Sequence, residues 1–145
     1  MAEYTQLKNI NRGYMKLDVW QKAIELHRLI CKTIESANVD YKSKSQIVDA
    51  VQSVSSNISE GYSRRSIKEY LQSLYISLAS LSETLTRSIG LLTTKRITQV
   101  QFHEIDALHY EIENKLLRLV ESLQKKKDEG TWNDRVFENI ADYNP

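Results

Sequence analysis

The residues of this chain with chemistry to offer are three histidines, one cysteine and a short run of cations. A dinuclear metal site in a helical bundle needs Glu-x-x-His on two helices and two further carboxylates pointing inward. The residues three before His27, His103 and His109 are Ile24, Val100 and Asp106. Only Asp106-Ala107-Leu108-His109 approaches that motif, and it has no twin. His103-Glu104 opens the zinc-protease pattern H-E-x-x-H, but the closing position holds Ala107. The single Cys31 excludes an intrachain disulfide and a multi-cysteine zinc set. Serine is abundant, yet neither a G-x-S-x-G elbow nor a Gly-rich phosphate loop occurs. These patterns predict no metal, no cofactor, no small-molecule substrate and no enzymatic reaction. His27 and His109 fall on apolar stripes and read as core or seam histidines, with a pH-sensitive interface as the sharper alternative.

Cations remain. Arg64, Arg65 and Lys68 sit around a helix start, and Lys125, Lys126 and Lys127 near a helix end. Either group could contact a phosphate backbone or an acidic partner; a solvated helix terminus is the plainer reading. Residues 63–97 carry six Lys/Arg against two Asp/Glu, whereas residues 98–145 carry six against ten. The net charge is only +1, so nucleic-acid binding would need a local patch.

Four long helices are expected to position these residues, over about 18–37, 43–61, 66–92 and 98–127. The first places Trp20, Ile24, His27, Cys31 and Ile34 on one face, with Asp18 as its cap and Gln21 as box partner. The second starts at Ser43, carries Ile47, Val51, Val54 and Ile58, and closes at Gly61, which suits a left-handed C′ position. Its many serines and β-branched residues give it poor intrinsic propensity, so it must depend on packing. Near that end Asn57 should bond free carbonyls, and Glu60 should bridge to Arg64 or Arg65. The third opens on the capping box Ser66-Ile67-Lys68-Glu69 and runs Ile67, Leu71, Leu74, Leu78, Leu81, Leu85 and then Ile89 or Leu92 along its seam. The fourth opens on Thr98 with Gln101, carries Phe102, Ile105, His109, Ile112, Leu116, Leu119 and Leu123, and stops at Gly130.

Short links make neighbouring helices antiparallel. The fold expected is all-α: an up-down-up-down antiparallel four-helix bundle in a single domain, residues 1–145, with a short helical tail over 131–145 that carries Trp132, Val136, Phe137 and Ile140. This topology gathers Lys16, Arg64, Arg65, Lys68 and Lys125 to Lys127 at one end. Helices three and four also carry Tyr70, Tyr75, Ile76, Ala79, Leu91, Leu108, Leu117 and Val120 outside the main stripe. Apolar stripes this wide predict a second buried surface, and hence self-association.

A hydrophobic content of 41% with 27% charged residues suits a soluble globular domain. No apolar run approaches the roughly 18–20 residues of a membrane span. The opening MAEYTQLKNINRG has no apolar leader core, so a cytoplasmic protein is expected.

Two motifs carry a family resemblance. Ser56-Asn57-Ile58-Ser59-Glu60-Gly61, followed by Ser66-Ile67-Lys68-Glu69-Tyr70 and later Glu83, resembles S-N-I-A-E-G, S-x-K-E-[FY] and a downstream Glu. Upstream, Leu17-Asp18-Val19-Trp20-Gln21-Lys22-Ala23 resembles L-x-V-W-Q-K-A, and Gln46-Ile47 a Q-[LI] pair. Together they resemble the 23S rRNA-intervening sequence protein family, which includes the accessory variability proteins of diversity-generating retroelements. The resemblance spans about residues 17–92. It implies a bundle assembling into a ring-like homopentamer. In the retroelement branch it also implies basic surfaces that bind RNA or DNA and a reverse transcriptase. The family's Arg pair after Q-[LI] is Val48-Asp49 here, and its proline before S-N-I is Ser55.

Overall fold

The structure is a computed structural model that describes residues 2–7 and 13–132. A 3₁₀ turn at Gly13–Lys16 leads into four helices: α1 (Asp18–Glu35), α2 (Tyr41–Tyr62), α3 (Ile67–Thr93) and α4 (Gln99–Glu129). Among the described residues there is no strand. α1 packs on α2 and α4, and α3 packs on α2 and α4, closing an antiparallel four-helix bundle. The tail expected at 131–145 lies outside the described residues from 133 onward.

Helix starts follow local chemistry. Ser66 accepts from the Glu69 backbone N–H at 3.2 Å. The Glu69 carboxylate accepts a hydrogen bond from the Ser66 hydroxyl at 3.3 Å instead of reaching back to the cap N–H. Thr98 and Gln101 form the full reciprocal box, at 3.1 and 2.9 Å. α2 begins earlier than expected, because Asp40 rather than Ser43 is its cap and accepts from Ser43 N–H at 3.4 Å. The Ser43 hydroxyl, with this N–H adding less, holds the Asp40 carboxyl below the usual carboxylate range. α1 has no side-chain cap: Leu17 holds the cap position, and Asp18 is already helical. Gln21 Nε2 instead donates to the Met15 carbonyl at 2.7 Å, tying α1 to the 3₁₀ turn.

The buried face of α1 is Val19, Trp20, Ala23, Leu26, Ile30, Thr33 and Ile34. It lies one residue, about 100° of helix rotation, from the stripe through Ile24, His27 and Cys31, which are only half-buried. Both stripes are apolar enough to pass a periodicity test. Ala23, on the first of these faces, is fully buried.

α2 and α3 meet through small polar side chains. Ser77 Oγ donates to the Val54 carbonyl at 2.8 Å in full burial, and Ser80 Oγ to Ser53 Oγ at 2.8 Å. Other hydroxyls bond carbonyls of their own helix, as Thr84 does to Ser80 and Ser88 to Thr84. This satisfaction is what lets serine-rich helices sit buried. It also corrects the seam of α3, whose innermost positions include Ser73, Ser77, Thr84 and Ser88, while Leu78 and Leu85 are half-buried and Ile89 is exposed. Tyr70 and Val120, expected on a second surface, belong to the core.

Gly61 needs a different explanation from a left-handed cap. It lies inside α2 and is buried, and the C-cap is Ser63 in right-handed conformation. A Cβ on Gly61 would sit 2.8 Å from Ser73 Cβ, 3.0 Å from a Tyr70 ring carbon and 3.2 Å from the Tyr70 carbonyl. The glycine is where α2 touches α3. The left-handed closing glycine is Gly130, at φ 66°, after α4.

Candidate interaction surfaces

The corner between α2 and α3 is built as a scaffold for its own turn. Asn57 Nδ2 donates to the Ser53 carbonyl at 2.8 Å and to Ser53 Oγ at 2.9 Å, so it bonds one turn back rather than at free end carbonyls. Glu60 pairs with Arg64 at 3.4 Å across the turn, both more than half exposed. Glu83 pairs with Arg87 at 3.3 Å, and Arg87 reaches Gln46 Oε1 of α2 at 3.1 Å. Trp20 is buried against Tyr4 and Tyr14 with ring centroids at 5.0 and 5.3 Å, both edge-on. Tyr14 meets Tyr62 at 6.3 Å and Tyr62 meets Tyr70 at 6.2 Å. This chain of rings joins the N-terminal segment, the 3₁₀ turn, α1, α2 and α3 at one end of the bundle. Sequence reasoning missed Tyr4, Tyr14 and Tyr62, because their contacts span up to 48 positions between turn and helix ends.

That end also presents the cations. Arg65 and Lys68 are exposed, and no ion pair among the described residues takes them up; Arg64 is shared with Glu60. Lys125, Lys126 and Lys127 are exposed in the last turns of α4, with Lys126 Nζ 5.5 Å over the Trp132 ring. Trp132 itself packs against the core. Val48 packs against the core too, and Asp49 is exposed, so the outer face of α2 lacks the two cations of the family pattern.

A second surface has opposite chemistry. On the outer edge between α3 and α4, a groove of about 470 Å³ is lined by Tyr75, Leu117 and Val120, with Glu121, Gln124, Lys125, Asp128 and Glu129 beside them. Tyr75 is 52% exposed and Leu117 49%. Ile89 lies two heptads after Tyr75, and Tyr110 one heptad before Leu117, so both extend the same edge, and both are exposed.

Titratable groups inside the bundle have no shared site. His109 is buried on α4 with Nε2 unpartnered. Burial pushes its pKa down, against the raising influence of Glu113, Asp106 and the Leu81 backbone carbonyl. Cys31 is half-buried, and burial pushes its thiol up, away from nucleophilic thiolate. Among the described residues no three His, Cys, Asp or Glu side chains gather as a metal set. No described helix is long and apolar enough to cross a membrane.

Fold and surface together define an antiparallel four-helix bundle with one basic end and one apolar, acid-rimmed outer groove. The chain belongs to the 23S rRNA-intervening sequence protein family, whose model matches residues 15–118. The match takes in the whole corner and stops within α4, before Lys125. The fold is also that of a crystal structure of a protein of unknown function from the S23 ribosomal protein family of Bacteroides thetaiotaomicron. The two share 24% identity with a TM-score of 0.67, over 70% of this chain and 97% of that one. No curated protein matches the chain.

Proposed function

We propose that this protein is a non-enzymatic, self-associating helical scaffold that acts as an adaptor, and that the α3/α4 outer edge is its assembly surface. One observation carries the reading: Tyr75, Ile89, Tyr110 and Leu117 stay exposed along a single edge, where a monomeric bundle needs only its inner face. The family resemblance favours a ring-like homopentamer. A reducing, cytoplasmic setting fits the lone Cys31. Size exclusion with light scattering tests the surface. The native chain should elute as an assembly, and Tyr75→Arg with Leu117→Arg should drop it to the 16.9 kDa monomer without changing its helical circular dichroism. A double variant that assembles as the native chain does would remove the α3/α4 edge from the account.

Arg65 and Lys68 favour a second reading, a nucleic-acid-binding accessory protein that partners a reverse transcriptase. Filter binding with a single-stranded RNA or DNA oligonucleotide at low salt should then show affinity that falls steeply as salt rises. Absence of binding even at low salt excludes this reading.

A further inference from the structure

A titratable group lies directly beneath the α3/α4 edge. Asp106, Tyr110, Glu113 and Leu117 follow a 4-3-4 spacing and form one outer stripe of α4. Tyr110 and Leu117 are the exposed apolar members of that stripe. His109 stands one residue inside it and is buried, at 6% exposure. Its Nε2 has no hydrogen-bond partner among the described residues. The charges that act on the ring are Glu113 and Asp106, one turn to either side of it on α4, and α3 adds the Leu81 backbone carbonyl. Within a turn of Leu81 the charged side chain of α3 is Glu83, which pairs with Arg87 on the flank that reaches α2. The buried faces of α1 and α2 carry no titratable side chain. Protonation gives Nε2 an N–H with no acceptor in this core. A buried donor without a partner costs about 1–3 kcal/mol, and more when charged. Relief lies outward, toward Asp106 and Glu113, through the surface that a neighbouring copy covers.

We infer that mild acid releases the assembly and that His109 senses it: the protonated ring turns out between Asp106 and Glu113 and displaces the edge that carries Tyr110 and Leu117. The inference rests on the scaffold reading and names its regulation. An assembled copy holds the neutral ring, because the covered edge blocks the way out. A free copy binds the proton more readily. Assembly is therefore complete at neutral pH and weakens as pH falls below the ordinary histidine value of about 6.5. The dissociation constant rises by up to about tenfold per pH unit for each copy.

Sedimentation velocity of the full-length chain, stepped from about pH 7.5 to about pH 5.5 across that histidine value, tests it. Circular dichroism at each step checks that the helices persist. The native chain should move from assembly to monomer with its helices intact, and reassemble when the pH is restored. His109→Leu keeps the volume and cannot titrate, so it should stay assembled throughout. Asp106→Asn with Glu113→Gln supplies a second reading that leaves the core untouched, since Asp106 is exposed and Glu113 half-buried. Its release should move to lower pH, because the carboxylates favour the charged ring. A native chain that stays assembled at the acid end would overturn the inference. So would loss of its helical signal there, an equal release in His109→Leu, or an unmoved midpoint in the carboxylate variant. A native chain that is already monomeric at the neutral end would instead remove the scaffold reading beneath it.

Discussion

Gly61→Ala is expected to destabilise the bundle by about 1–2 kcal/mol, although alanine is the better helix former. In an open helix position the substitution gains roughly 1 kcal/mol. Here the new methyl would stand 2.8 Å from Ser73 Cβ and 3.2 Å from the Tyr70 carbonyl. Those atoms are not the ends of flexible side chains, so α2 and α3 must move apart. Overpacking of this kind costs about 1–3 kcal/mol and occasionally more. Separation would also stretch the 2.8 Å bonds from Ser77 to Val54 and from Ser80 to Ser53, which adds to the loss. Thermal denaturation should show a fall of roughly 3–6 °C. Ser73→Gly in the same background should recover part of it, a coupling that a helix-propensity effect would not produce. An unchanged or raised melting temperature would mean that the α2–α3 approach is not set by this glycine.

The second large effect is a loss of stability on acidification that depends on His109. Its ring is buried, Nε2 has no partner, and burial depresses its pKa below the ordinary value near 6.5. The folded state therefore holds the neutral ring, while the unfolded chain takes up a proton more readily. Stability from this source is complete above the unfolded pKa. It is lost as pH falls from there toward the depressed folded value, at up to about 1.4 kcal/mol per pH unit for one proton. Asp106 and Glu113, on the same helix, oppose the depression and narrow the window. Urea denaturation at pH 8 and pH 5 should show the native chain losing stability relative to His109→Leu. That variant keeps the volume and removes the titration. Equal pH dependence in the two proteins would show that His109 is not the group responsible.

Much of the bundle was legible because its signals are local. Ser66 with Glu69, Thr98 with Gln101 and Gly130 mark helix ends within four residues of themselves. The seams of α2 and α4 follow a plain 3-4 spacing through Ile47 to Ile58 and Ile105 to Leu123. The corner motifs were enough to place the family. What sequence could not fix depends on neighbours far along the chain. Val19-Ala23-Leu26-Ile30 and Trp20-Ile24-His27-Cys31 are both plausible faces, and only the position of α2 and α4 selects the first. Gly61 looks like a terminator because it sits near a helix end; its reason is a contact with Ser73. Ser77, Thr84 and Ser88 read as polar interruptions of a leucine seam, and their burial depends on acceptors one turn back or on α2. On the surface, Arg64, Arg65 and Lys68 were visible as cations. That Glu121 and Asp128 rim a groove with Tyr75 and Leu117 follows from the rotation of α3 and α4 in place.

Sedimentation equilibrium of the native full-length chain tests the scaffold most directly, at concentrations on the order of tens of micromolar, where a functional homo-oligomer should persist. The account predicts a mass that is a multiple of 16.9 kDa, five-fold if the family resemblance extends to assembly. A single 16.9 kDa species across that range would contradict it.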